Sequence, residues 1–398
     1  MKVCFISNYL NHHQLPFALA MQHLSQGDYA YISTKPISQA RLELGYQDLD
    51  HSYPFVIPAY DSPEQKAKAM QLAFDSDIVI LGSAPDEYLI RRLKAGKVTF
   101  KYSERVKKQK TTPYLYCRRI AAAWIRHGRF QKYPLYMLCS SAYTAGDYAS
   151  YGDYLGKTYK WGYFPQVEQE DLDAIFARRQ AASKPSLLWA GRLMDWKHPE
   201  AAVNVAQALK ARGYDFRLDI IGNGEMEQAL QAMIQEQDLQ DQVRLLGSMP
   251  PEQVREHMRA ADIYLFTSDY NEGWGAVLNE SMSSGCAVVA SHAIGAAPFL
   301  LTSGENGLIY EDGNQEQLNR DVMWLLDHPE ARRGMGRRAY QTMQEQWNAE
   351  TAARRLVELY EHLRQGNTSP LFASGPCSPA EPIQNRDGGK LAVPPKEE

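Results

Sequence analysis

No run of about 18 apolar residues occurs in the 398-residue chain, so no membrane-spanning helix is expected. Cysteine is scarce. Cys4, Cys117, Cys139, Cys286 and Cys377 are odd in number, and no pair sits at CxxC spacing. That argues against a disulfide framework and against a zinc site, and fits reduced thiols in a cytosolic protein. No small-residue cleavage site follows the short apolar start Met1-Lys2-Val3-Cys4-Phe5-Ile6, which reads as a strand and not as a signal peptide. A complete GxGxxG after a strand is missing too: Gly222-Asn223-Gly224 is followed by Glu227, which disfavours a nicotinamide dehydrogenase. No repeat of solenoid period is present.

The chain does have the apolar content for a large core, 44% with 11% aromatic and 23% charged residues, which excludes wholesale disorder. Its length suits two or three domains. The formal net charge of −4 is an average of unlike halves: residues 1–165 carry 21 Lys+Arg and 13 Asp+Glu, and the remainder carries 22 and 34. Within 91–132 there are 14 bases and one acid, Glu104. Such asymmetry predicts two domains with different partners.

Short apolar runs alternate with longer amphipathic ones. In the first half, strands are expected at 3–6, 77–82, 98–100 and 136–141, with a helix over 15–24. The second half reads as strands at 186–191, 216–222, 243–246, 262–267, 286–290 and 307–310. Helices are expected at 199–211, 225–235, 251–259, from near 276, and at 314–327, 329–345 and 349–364. This is the pattern of repeated βαβ units and parallel sheets. Residues 166–185 read as a connector. In 366–398, 13 of 33 residues are Gly, Pro or Ser, the composition of a mostly disordered tail.

The strongest chemical signal is Glu272-Gly273-Trp274-Gly275-Ala276-Val277-Leu278-Asn279-Glu280, directly after an expected strand. Glu272 lies in a Gly-flanked loop and Glu280 one turn into the next helix. The glycines let backbone approach a ligand closely. The helix start offers N–H groups and a positive dipole end to a phosphate. Carboxylates beside it can accept hydrogen bonds from sugar or ribose hydroxyls. A second loop, Gly191-Arg192-Leu193-Met194-Asp195-Trp196-Lys197, also follows a strand, where α/β proteins bind ligands. Its Arg192 and Lys197 suit a diphosphate, one as a fork and one as a point charge.

Together these segments resemble the retaining glycosyltransferases of the GT-B fold, family 4, with their E-x7-E motif; the likeness spans about 1–365 and is most specific over 186–310. The resemblance implies an α/β fold of two Rossmann-like, doubly wound parallel-sheet domains facing a cleft. The acceptor domain would be 1–165 and the nucleotide-sugar donor domain 186–348, with a helix over 349–365 packing back on the first domain. It implies that Glu272 holds donor sugar hydroxyls, Glu280 the ribose, and N–H groups of 275–278 the pyrophosphate. Arg192 and Lys197 would stabilise charge on the departing diphosphate. Gly222, Asn223 and Gly224 would line the donor site with Gly273 to Leu278, and Leu246 would lie where the base binds.

The chain departs from the commoner family pattern at Ser291-His292-Ala293-Ile294-Gly295-Ala296-Ala297-Pro298-Phe299. There the second Gly of a pair is Ala296 and the usual Glu is Phe299. This resembles surface-polysaccharide synthesis members. The first-domain loop lacks glycine and offers Asn11, His12 and His13, which either touch acceptor or diphosphate or cap a helix. Glu104 and Arg105 either face the acceptor or form a local salt bridge. Two Asp-x-Asp motifs, Asp48-Leu49-Asp50 and Asp171-Leu172-Asp173, do not follow apolar strands, so no cofactor and no divalent metal are expected.

Residues 112–130 mix Tyr114, Tyr116, Trp124 and Phe130 with Arg118, Arg119, Arg126 and Arg129. Two readings stand: an amphipathic helix resting on an anionic membrane, or a core-facing stripe with a solvated basic face. No nucleic-acid motif accompanies the charge. The expected activity is transfer of a sugar from a nucleoside-diphosphate sugar to a saccharide or lipid-linked saccharide. The expected place is the cytoplasm, or the inner face of a membrane as a peripheral protein. A nucleotide-sugar 2-epimerase and a non-catalytic nucleotide-binding scaffold are the alternatives.

Overall fold

A computed structural model describes residues 1–43, 47–108, 118, 121–125 and 127–392. The chain forms two compact units, one of Met1–Gln166 with Gln346–Ile383, the other of Val167–Glu345 with the described residues from Gln384 on.

The first unit is built on seven strands: β1 Val3–Ser7, β2 Tyr29–Ser33, β3 Val56–Pro58, β4 Ile78–Leu81, β5 Thr99–Ser103, β6 Leu135–Cys139 and β7 Thr158–Lys160. Their order is β3-β2-β1-β4-β5-β6-β7, and every neighbouring pair is parallel. Strands β1, β4 and β6 are buried along their whole length, as a sheet covered on both faces requires. That is why they read as continuous apolar runs. β2, β3 and β7 are short or interrupted by Tyr, Ser and Thr, and the apolar pattern gave no sign of them.

The second unit has six strands: β8 Ser186–Ala190, β9 Arg217–Ile221, β10 Val243–Leu245, β11 Ile263–Phe266, β12 Ala287–Ser291 and β13 Leu308–Tyr310. Their order is β10-β9-β8-β11-β12-β13, again all parallel. Leu187, Trp189, Leu218, Ile220, Ile263 and Leu265 meet Val203, Ala206 and Leu230 in the core. Helix Pro199–Ala211 starts with proline at its first position, where the missing N–H costs nothing.

The 166–185 connector is not a bare link. Asp171 accepts a hydrogen bond from the Ala174 N–H and caps helix Leu172–Ala181, which belongs to the second unit. Helix Ala349–Arg364 begins at an Asn348 cap and packs on helix Leu15–Leu24 of the first unit. Trp347 stacks on Phe164 at 6.2 Å between ring centres.

The tail departs from expectation over its described part. The Cys377 N–H donates to the Lys160 carbonyl, the Lys160 N–H to Ser378, and the Ala380 N–H to Thr158. Tyr159 and Pro379 form an antiparallel bridge, and Cys377 and Ser378 are buried. A Gly-, Pro- and Ser-rich segment cannot build a core of its own. Here its backbone satisfies the open edge of β7, the kind of edge that proteins cover.

Candidate active site

In both sheets the strand order reverses beside the first strand of the unit, between β1 and β4 and between β8 and β11. Ligands of open α/β sheets bind outside the carboxyl ends of the strands at such a reversal. In the second unit the two loops leaving this point are 191–198, after β8, and 267–275, after β11. These are the loops the sequence singled out, and their side chains meet. The Lys197 ammonium donates to a Glu272 carboxylate oxygen at 2.7 Å, and the Ser268 hydroxyl donates to the same oxygen at 3.2 Å. The side chains of Lys197 and Glu272 are only 12% and 13% exposed. The sequence reading gave these two residues separate tasks; the fold makes them one charge-assisted pair.

Backbone bonds hold the loops together. The Asp269 N–H donates to the Trp196 carbonyl at 3.0 Å, and the Thr267 hydroxyl lies 2.7 and 2.8 Å from the carbonyls of Lys197 and His198. The same hydroxyl accepts from the Trp189 indole at 2.8 Å. His198, which the sequence reading passed over, adopts a left-handed conformation at φ +49° between the Asp195–Lys197 turn and helix Pro199–Ala211. Its imidazole lies 2.8 Å from Glu200 and 3.8 Å from Asp269. The Asp269 carboxylate and then the hydrogen-bonded Glu200 outweigh burial and raise its pKa to about 10, so it is imidazolium at neutral pH. The Lys197-His198-Pro199 run, a titratable residue just before a helix-opening proline, was the signal for it.

Helix Ala276–Ser283 starts at Gly275, whose φ of +89° favours glycine, and no side chain caps that start. A β-carbon at Gly275 would lie 2.7 Å from the Phe266 ring. Ala276 and Val277 are half-buried, Gly273 is buried, and the Leu278 N–H already donates to the Gly275 carbonyl. Trp274, expected to bind donor, is fully buried, and its indole donates to Asn279 at 2.8 Å. Its ring is scaffold, as is the fully buried side chain of Leu278. Glu280 is half-buried, and its carboxylate makes no hydrogen bond or ion pair among the described residues, while its carbonyl accepts from the Ser284 N–H and hydroxyl. Burial raises its pKa, with Arg255 opposing. Arg192 is exposed, and its guanidinium has no partner among the described residues.

Gly222 and Gly224 are required by packing between loops. A side chain on either would collide with the carbonyl of Gly191 or Leu193. The Leu193 N–H donates to the Asn223 carbonyl at 2.8 Å, so the two loops form one wall. Leu246 continues β10 through its N–H to the Ile220 carbonyl. Phe299 stands 6.4 Å from Trp274 between ring centres, where the commoner family pattern has a carboxylate.

In the first unit, the Asn11 side chain accepts from the N–H groups of His13 and Gln14 and shapes the entry to helix Leu15–Leu24. His12 is exposed and lies 3.9 Å from His13, ring to ring. His13 stacks on Tyr163 at 5.4 Å, and the Tyr163 hydroxyl donates to Glu104. Burial, then His12 and Arg41, lower the His13 pKa to about 3, which keeps it neutral. Glu104 also pairs with Lys108 at 2.8 Å. His13, Tyr163 and Glu104 therefore form one cluster. Arg105, expected either to face acceptor or to form a local salt bridge, is 5% exposed, packs on Tyr143 and lies 3.9 Å from Asp147. It is a buried structural pair.

The Asp-x-Asp motifs have structural tasks. Asp50 is buried and accepts from the Leu10 N–H and the hydroxyls of Ser33 and Tyr60, and Asp173 pairs with Arg337. Of the 112–130 stretch, Tyr114, Tyr116, Arg119 and Arg126 lie outside the described residues.

Residues 172–342 match the family Glycosyl transferases group 1. The matched span holds both loops, the uncapped helix and the Lys197 and Glu272 pair. Over 191 residues the chain is 29% identical to the amylovoran biosynthesis glycosyltransferase AmsK of Erwinia amylovora, covering 46% of this chain and 47% of that one. It is 32% identical over 179 residues to a D-inositol 3-phosphate glycosyltransferase of Corynebacterium glutamicum, covering 43% and 42%. The chain thus spans just under half the length of the curated relatives it matches. The crystal structure of Anabaena Alr3699/HepE in complex with UDP is similar over 91% of this chain and all of that one, with a TM-score of 0.65 at 16% identity. Sucrose-phosphate synthase of Thermosynechococcus elongatus is similar over 92% of this chain, with a TM-score of 0.59. The fold is GT-B.

Proposed function

We propose that the protein is a retaining glycosyltransferase that moves a sugar from a nucleoside-diphosphate donor to a saccharide or lipid-linked saccharide in surface-polysaccharide assembly. The observation that carries this reading is the Lys197 and Glu272 pair at the β8/β11 reversal, beside the uncapped start of helix Ala276–Ser283. The helix start and Arg192 suit a diphosphate, since N–H dipoles and a forked cation neutralise the leaving group as its charge grows. Glu272, held by Lys197 and Ser268, presents its remaining lone pairs to sugar hydroxyls. Glu280, half-buried and unpaired, suits a ribose. The likeness to a glycosyltransferase of amylovoran biosynthesis supports a polysaccharide setting. No divalent metal enters this scheme, and full activity in excess chelator is the expected result.

In the first unit, Trp124 and Ile125 are 65% and 52% exposed, and the nearby Arg129 and Lys132 are exposed too. This favours the membrane-resting reading over a core-facing stripe. Co-sedimentation with anionic vesicles, absent with neutral ones and weakened by Trp124→Ala, is expected; equal recovery on neutral vesicles refutes it. The deciding experiment for the activity is a thermal-shift panel of UDP, GDP and ADP with their sugars. One nucleotide should stabilise the fold by mass action. No binder at millimolar concentration overturns the donor assignment.

A further inference from the structure

A cavity of about 350 Å³ in the second unit takes no part in the site above. It lies at the opposite, amino ends of the central strands, where the chain enters β8 after Lys184 and Pro185, enters β11 after Asp262, and starts helix Pro329–Gln341. Its charged lining is Arg179, Lys184, Arg332 and Arg333 against Asp262 and Glu330.

Two of these arginines are buried without a close carboxylate. Arg179 is 8% exposed. It donates to four carbonyls, those of Met258, Arg259, Ser284 and Gly285, at 2.7–3.1 Å. It makes no ion pair among the described residues. The Arg332 side chain is 11% exposed. It donates to the Leu325 carbonyl at 2.9 Å and reaches Asp262 only at 3.5 Å. Its Nε–H is buried with no partner. Asp262 is further shared with the Ser186 N–H at 3.0 Å. Asp262 is therefore divided, the Arg179 charge rests on carbonyl dipoles at helix ends, and the rim cations are held only by exposed groups, Lys184 by Asp215 at 3.2 Å and Arg333 by Glu330 and Gln180. Burial lowers the Arg332 pKa, Asp262 opposes this and Arg179 adds to it. The start of helix Pro329–Gln341 at the same cavity has no side-chain cap.

We propose that this cavity binds a small phosphorylated anion, with the Arg332 guanidinium beneath it and the rim cations Lys184 and Arg333 exchanging their exposed partners for phosphoryl oxygens. Guanidinium groups match phosphate geometry and tolerate burial better than ammonium. The volume suits a phosphate ester or a diphosphate. The carbonyls held by Arg179 lie at the C-terminal ends of helices Pro251–Ala260 and Ala276–Ser283, so the cavity is tied to the helix that carries Glu280.

The test is calorimetric titration of the full chain with inorganic pyrophosphate. Pyrophosphate should also meet the Arg192 and Lys197 loop, so the double variant Arg192→Ala/Lys197→Ala is the background. One binding event should persist there, be lost at least tenfold on adding Arg332→Gln, and weaken severalfold on adding Lys184→Gln with Arg333→Gln. The last two residues are half-exposed, so that pair decides the matter should Arg332→Gln not fold. No binding in the background, or an affinity unchanged by the rim pair, overturns the proposal and leaves the donor assignment untouched. Loss of binding at the loop alone bears only on the donor assignment. Parallel titrations with inorganic phosphate and glucose 1-phosphate separate a free anion from a sugar ester by which binds more tightly.

Discussion

At the scale of single residues, the Lys197 and Glu272 pair dominates. Both side chains are nearly buried, so removing one leaves the other charge uncompensated. Glu272→Ala should reduce turnover at least a hundredfold while circular dichroism reports a retained fold; unchanged turnover refutes its role. Because the two act as one unit, Lys197→Ala/Glu272→Ala should lose far less than the product of the single effects. Additive losses in a double-mutant cycle would show independent tasks. His198 carries a pH prediction. Its pKa, raised to about 10 from near 6.5, adds stability that is complete below about pH 6.5 and lost as pH rises through about 10. Asn accepts the left-handed conformation, so the melting temperature of His198→Asn should fall furthest below that of the natural protein near pH 6 and converge with it near pH 10.5. A gap that does not change with pH refutes the assignment.

At the scale of elements, the helix Ala276–Ser283 is fixed at both ends by different means. Its start depends on Gly275, where a side chain meets Phe266 as well as an unfavourable φ. Its far end is held by Arg179, whose forked donors satisfy the Ser284 and Gly285 carbonyls. Arg179→Met keeps the aliphatic bulk but strands buried acceptors, so a loss on the order of 3 kcal/mol is expected in denaturant unfolding. A loss near zero would mean that water replaces the guanidinium. The start was legible in sequence, because a Gly-x-Gly-Ala run after an apolar strand admits few other structures. The Arg179 brace was not, because its acceptors lie about 80 and 105 positions along the chain.

At the scale of the molecule, the terminal segment completes the first sheet. Truncation after residue 365 removes the backbone partners of β7 and should lower the melting temperature by several degrees and raise aggregation. An unchanged melting curve would show the segment to be dispensable. Its composition suggested disorder because local content cannot report a distant sheet edge waiting for a partner.

The sequence by itself determined the class of the fold and the location of the candidate site. Continuous apolar strands, spaced by amphipathic helices, leave parallel sheets as the only way to bury both faces, and loops after such strands must emerge at one edge. Tertiary structure alone decided which charges meet. It joined Lys197 to Glu272 across 75 positions, buried Arg105 against Asp147 and turned Trp274 into scaffold. It also brought Arg179 and Arg332 into the lining of one cavity. The physical reason is range: periodicity and turn chemistry act over a few residues, whereas ion pairing depends on which loops the strand order brings side by side.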